Sequence, residues 1–238
     1  MKGWVIVSKG VLSNTEIRKA VESGQVVIYP LDVNNINTTS VDVRLGENFY
    51  RIRDHREDSV IFNPFDEEHV KNHFELQKAQ PLTKVLGSLA INGLTNIPPD
   101  HLVIPMRPHE RILGHTYEFI GIAEEGTSSM QARSTIGRSG INVCQDAGWG
   151  DCGYVNRWTM EIYNNNDRHI VLPVGARIAQ IVFYHSDGVE NEYSTDTGKY
   201  QSISATDLKG IVSSWKPSDM LPKAYKDRIQ EYKPLDCD

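Results

Sequence analysis

A chain of 238 residues with 39% apolar and 24% charged side chains can bury a substantial core and is ordinary in composition for a globular protein. Its formal charge of −6 argues against a nucleic-acid polymer as ligand, which would need a broad basic face, but leaves room for a small anion held by a few local cations. Three cysteines (Cys144, Cys152 and Cys237) with no CxxC pair give no disulfide framework and point to a reducing, cytoplasmic setting.

In chain order, the opening MKGWVIVSKGVL has only short apolar runs broken by lysine and is expected to be neither a signal peptide nor a membrane span. Ser13-Asn14-Thr15-Glu16 reads as a capping box. It predicts a helix to about Ser23, with Ile17 and Val21 on one face and Gly24 as its stop. VVIYP (26–30), SVDVRLG (40–46), NFYRIR (48–53), HLVIPM (101–106) and YEFIGI (117–122) are short, β-branched or aromatic, and bounded by turn residues. GINVC (140–144), RWTMEIYN (157–164), HIVLPV (169–174) and RIAQIVFYH (177–185) repeat the pattern. The expected fold is mainly β, a barrel or jelly roll with little helix. Residues 81–100 read as loop-rich with a Pro-Pro stop, and a modest helix is expected after Pro222. One β domain over 1–205 with an extension over 206–238 is the expected organisation.

His109 and His115, six apart around Glu110, do not have the i,i+4 spacing that puts two imidazoles on one helix face. Cys144 and Cys152 lack the neighbours of a zinc deaminase, so no zinc is expected. No GxSxG elbow surrounds Ser134. The stretch ARSTIGRSG (132–140) is more informative, because no acidic residue occurs from Thr127 to Gln145. Guanidinium groups bind phosphate oxygens bidentately, hydroxyls add donors, and glycines let backbone N–H groups approach. On this pattern alone a solvated polar loop is the commoner reading. In RWTMEIYN, strand alternation sends Trp158, Met160 and Ile162 one way and Thr159, Glu161 and Tyr163 the other; the plain reading makes Glu161 solvent-facing.

Together these segments resemble the dCTP deaminase branch of the trimeric dUTPase superfamily. VLSNTEIRKAVESGQVVIYP is similar to its opening helix and strand, SVDVRLGENF to an early strand, and ARSTIGRSG to its phosphate loop. DAGWGDCGY resembles the family's nucleoside-binding turn, TMEIYN its glutamate-bearing strand, and PVGARIAQIVF the strand after it. The resemblance covers about residues 11–205 and implies a dUTPase-like barrel. It implies Arg133, Ser134, Thr135 and Arg138 at a triphosphate and Glu161 as general acid/base. It further implies Ala147 at the pyrimidine, Asp151 and Tyr154 at the deoxyribose, and a C-terminal lid carrying Tyr193, Lys199 and Gln201. Thr135, Cys152 and Ile203 depart from the usual serine, proline and glutamine.

The implied reaction is zinc-independent hydrolytic deamination of dCTP, or of a 5-modified dCTP, with Ser134 helping Glu161 orient water. Mg²⁺ would be bound through the triphosphate, and a homotrimer with shared sites is implied. The alternatives are an enzyme that continues to dUMP and pyrophosphate, a dUTPase, or a non-catalytic dNTP-binding trimer. Asp151 keeps the hydrolytic alternatives open, and Glu161 disfavours the last.

Overall fold

The structure, a computed structural model, describes residues 10–54, 61–90, 93–145, 147–186, 189–190, 193, 198–201 and 203–227. The opening nine residues, Asp146, Cys237 and the tail beyond Asp227 lie outside the described residues.

Helix α1 (Asn14–Ser23) is capped as predicted, with Ser13 and Glu16 each bonding the other's backbone N–H and Gly24 closing it at φ 82°. Then come β1 (Val26–Tyr29), β2 (Val41–Arg44), β3 (Asn48–Ile52), α2 (Glu67–His73), β4 (Phe74–Lys78), β5 (Gln80–Pro81) and α3 (Leu82–Ser88). Strands β6 (Leu102–Met106), β7 (Arg111–Ile122) and β8 (Thr127–Ala132) lead into the short α4 (Ser134–Arg138). Next are β9 (Ile141–Val143), β10 (Trp149–Gly150), β11 (Tyr154–Asn164), β12 (Ile170–Pro173) and β13 (Arg177–Tyr184), and the extension carries α5 (Leu208–Ser214).

The fold is mainly β and antiparallel, as expected. One sheet runs β4-β3-β7-β11-β9 with β1 also on β7; a second runs β10-β8-β13-β2, and a third β12-β6-β5. The inward faces of the strands meet in one core that includes Val43, Leu45, Ile104, Ile112, Met160, Ile162, Ile181 and Phe183. Burying that apolar area is the main favourable term in the fold. Strand β11 obeys the predicted alternation: Trp158, Met160 and Ile162 are buried, while Thr159, Glu161 and Tyr163 are half-buried on the other face.

Two expectations change. Residues 81–100 are not all loop, because Leu82, Val85 and Leu86 sit at helical spacing and bury with Val103 in a satellite core. In the extension a helix precedes Pro222: α5 packs Ile211 against Phe119, Ala123 and Val155; among the described residues a 3₁₀ turn (Ala224–Lys226) follows the proline, and the rest of the helix expected there lies outside the described residues. Among the described residues, no helix is long and apolar enough to cross a membrane.

Candidate active site

A cavity of about 730 Å³ opens on the half-buried face of β11. Thr159 and Glu161 from β11 and Arg111 and Leu113 from β7 form its floor. Glu161 is directly opposite Leu113 in the ladder, and Leu113 is opposite Tyr50, so these three positions form one row across β11, β7 and β3. Strand β11 lies between β7 and β9, and the Glu161 carbonyl accepts from the Cys144 N–H at 3.1 Å. The catalytic candidate therefore stands on a central strand, where backbone freedom is least. Burial, with the nearby Glu161 charge adding to it, raises the Cys144 thiol well above its ordinary range and keeps it an unreactive neutral group.

The DAGWGD turn forms one side of the cavity through Ala147, Trp149 and Asp151. Its glycines are steric requirements: a Cβ on Gly148 would sit 2.2 Å from the Met130 carbonyl oxygen, and one on Gly150 would sit 2.3 Å from the Trp158 ring. The Trp158 indole, in turn, donates to the Ile120 carbonyl at 2.7 Å. Tyr154 packs edge-on against Trp158 and Tyr193, with ring centroids 5.7 and 5.3 Å away. Burial raises the hydroxyls of both Tyr154 and Tyr193, so both remain protonated donors at neutral pH.

The lid segment is tied down from two sides. The Tyr193 N–H donates to the Cys152 carbonyl at 2.7 Å, and its hydroxyl accepts from the Tyr200 N–H at 3.1 Å. Gln201 does not line the cavity. Its buried amide accepts from the Val155 N–H at 2.8 Å and donates to the Gly153 carbonyl at 2.9 Å, a brace for the lid rather than a contact offered to a ligand. Lys199 and Tyr200 do line the cavity, and Met220 and Pro222 reach it from the extension. An aromatic group, Phe62 stacked on His73 at 4.0 Å with Phe74 edge-on to both, forms the opposite wall.

The arginine loop is elsewhere. None of Arg133, Ser134, Thr135 and Arg138 lines the cavity. Ser134, Thr135 and Arg138 are exposed on α4, whereas Arg133 is half-buried and bound to Asp42, Nε to Oδ2 at 3.3 Å. Asp42 is only 2% exposed and also meets Arg177 at 3.1 Å. A buried carboxylate needs such partners, and it fixes the loop's base to β2 and β13. At the far end Gly140 takes φ 73°, and the Asn166 amide donates to the Ser139 carbonyl at 3.0 Å.

Of the residues singled out in the sequence, the fold thus brings together Ala147, Asp151, Tyr154, Glu161, Tyr193 and Lys199. It leaves the four loop residues and Gln201 outside. The sequence reading missed Asp42, whose signal was a lone acid between two strand valines, and Arg111, Met220 and Pro222, which carry no local signal. Among the described residues there is no group of three or more histidine, cysteine or acidic side chains able to hold a metal ion.

Comparison with known proteins shows the family and the fold. The model of a family described as dCTP deaminase-like matches residues 11–186. A protein of Persephonella marina named "dCTP deaminase, dUMP-forming" is 31% identical over 202 residues, covering 84% of this chain and 97% of its own. A protein of the same name from Nanoarchaeum equitans is 27% identical, covering 86% and 98%. Among solved structures, that of the 2'-deoxycytidine 5'-triphosphate deaminase from Agrobacterium tumefaciens superposes with a TM-score of 0.52 at 20% identity. The superposition covers 77% of this chain and half of that one, and shows the shared fold.

Proposed function

Because the chain belongs to the dCTP deaminase-like family, we propose that it hydrolyses the exocyclic amine of dCTP in the cavity beneath Tyr193 and Lys199, with Glu161 as general acid/base. The observation that carries this reading is the meeting of Glu161, Ala147, Asp151, Tyr154 and Lys199 in one cavity, although they are spread from β10 to the lid. Glu161 takes a proton from water as the oxygen adds to C4 and returns it to N3. Glu161 then carries the proton of the new C4 hydroxyl to the amine as the C4–N bond breaks, ammonia leaves and C4=O forms. Positioned proton transfer of this kind contributes roughly 10²–10⁴ in rate. The Tyr154 and Tyr193 hydroxyls, held neutral, supply donors for the sugar side of the nucleotide.

A triphosphate needs more cations than Lys199 and Arg111 supply. We assign the rest to Arg133 and Arg138 of a neighbouring copy, with Ser134 and Thr135 adding hydroxyls, in a homotrimer whose sites are shared. This is supported by the exposure of α4 outside its own chain's cavity. The donor set suits Mg²⁺ carried by the phosphates and water, with Asp151 the carboxylate that the turn brings to the cavity among the described residues. Bound that way, the ion would neutralise phosphate charge.

Asp151 also favours a second step. A carboxylate in the same cavity as Glu161 can activate water toward the α-phosphate, and the relatives' names specify dUMP as product. The chain then forms dUTP and cleaves it to dUMP and pyrophosphate. Incubation with dCTP and Mg²⁺, with dUTP in parallel, is expected to yield dUMP from both by chromatography. Stable dUTP in the second tube would restrict the chain to deamination. No product from dCTP would reject the deaminase reading.

A further inference from the structure

The family match ends at residue 186, yet the cavity is finished by residues more than thirty positions beyond it. Met220 is buried against Tyr50 and Leu113, the other two positions of Glu161's row across the sheet, and Pro222 follows it along the cavity wall. The Lys223 N–H donates to the Tyr200 hydroxyl at 3.1 Å, and the Lys223 ammonium lies 5.3 Å from the centre of the Tyr200 ring. Asp227 accepts from the Lys199 ammonium at 2.7 Å, with both side chains about one-third exposed. Two of the three lid residues that line the cavity, Lys199 and Tyr200, are therefore held by the extension.

We propose that the extension is part of the nucleotide site and that Asp227 is a positioning residue for Lys199. The proposal rests on reading the cavity as a nucleotide site and adds a role to a segment outside the family match. A free lysine loses rotamer freedom when it meets an anion, whereas one held by a carboxylate has already lost it on folding. The ammonium has three donors, so contact with Asp227 leaves two for phosphate oxygens. The carboxylate sets where that charge stands; Met220 and Pro222 set the wall beside it.

The test is calorimetric titration of dCTP and of deoxycytidine into the full-length Glu161→Gln protein, which binds without turnover. Asp227→Ala, Lys199→Ala and their combination are compared in that background. Asp227→Ala is expected to weaken dCTP binding about three- to tenfold and leave deoxycytidine unchanged, consistent with a part-exposed pair acting only on phosphates. The double variant is expected to bind no more weakly than Lys199→Ala alone. Unchanged or tighter dCTP binding by Asp227→Ala, equal loss for deoxycytidine, or multiplying losses in the double variant would overturn the proposal. If Asp227→Ala fails to fold by circular dichroism, the nearly isosteric Asp227→Asn is read by the same criteria. If the folded Glu161→Gln parent binds no dCTP, the nucleotide reading itself falls and takes the inference with it. A parent that binds, with an inert Asp227, refutes the inference alone.

Discussion

The cavity and the arginine loop are two halves of one expected site, and the fold treats them oppositely. Around the cavity, six expected residues converge from a strand, a turn and a lid, with Tyr154 and Tyr193 in ring contact and Lys199 held by Asp227. The loop from Arg133 to Gly140 is braced at its ends by Asp42 and Asn166, yet its exposed side chains do not line that cavity. Effort put into holding a polar loop rigid is hard to explain if it only meets solvent, since surface loops tolerate looseness. A single chain thus builds the cavity proposed for base and sugar and, apart from it, the loop proposed for the phosphates. In the proposed trimer, the loop of a second copy completes the first copy's cavity.

The sharpest way to break this division is to remove chemistry from one half and binding from the other. Glu161→Gln is expected to lower deamination about 10²–10⁴-fold while the dCTP dissociation constant stays within about threefold, read by product chromatography and calorimetry. Arg138→Glu is expected to lose dCTP binding instead. Co-expressed in equal amounts, the two inactive variants should recover about one quarter of wild-type activity, the chance that a shared site draws an intact Glu161 from one subunit and an intact Arg138 from the next. Recovery near zero would place both residues in the same chain's site or remove the loop from it.

A second prediction concerns the layer beneath the extension. His115 is 1% exposed; its Nε2 accepts from the Asn48 N–H at 3.3 Å, so the proton sits on Nδ1, which donates to the Thr116 carbonyl at 2.8 Å. Trp215 of the extension covers the ring at 4.7 Å. Burial lowers its pKa from 6.5 to about 4, with the nearby Arg157 charge adding a smaller push. The unfolded chain takes up this proton below about pH 6.5 while the folded ring stays neutral to about pH 4. Stability is therefore full above pH 6.5 and falls across that window by an order of ~3 kcal/mol. His115→Gln should be less stable at pH 7.5 but lose that slope, as measured by urea denaturation at several pH values. An unchanged slope would mean another group titrates.

The same contrast explains what could be read in advance. Local signals were legible: the capping box at Ser13, the alternation around Glu161, the glycines of the DAGWGD turn. Strand β4, FELQK, was not, because a sheet-edge strand with mixed polarity lacks a clean period of two. Glu161 looked solvent-facing because alternation gives a strand two faces and cannot say which elements will roof the outer one. That roof consists of Tyr193, Lys199 and Met220, up to 59 residues downstream of Glu161. The resemblance put Gln201 among the ligand groups of the lid, but in the fold its side-chain amide is taken up by the Val155 N–H on β11 and the Gly153 carbonyl just before it.

The smallest effect bears on the loop alone. Arg133 and Arg138 appear equivalent in ARSTIGRSG, but only Arg133 has a buried carboxylate on its guanidinium. Replacing it removes one of the two cations facing Asp42, so Arg133→Ala should lower stability as well as affinity. Arg138 is exposed on the last turn of α4, so Arg138→Ala should melt like wild type. Its effect is expected in binding only: about tenfold weaker for dCTP, the loss of one charge-assisted contact, and none for deoxycytidine, which has no phosphate to meet it. Equal weakening of both ligands would mean the loop shapes the base pocket instead. If neither ligand responds, α4 is a solvated turn, and the second half of the site must be sought on another surface of the neighbouring copy.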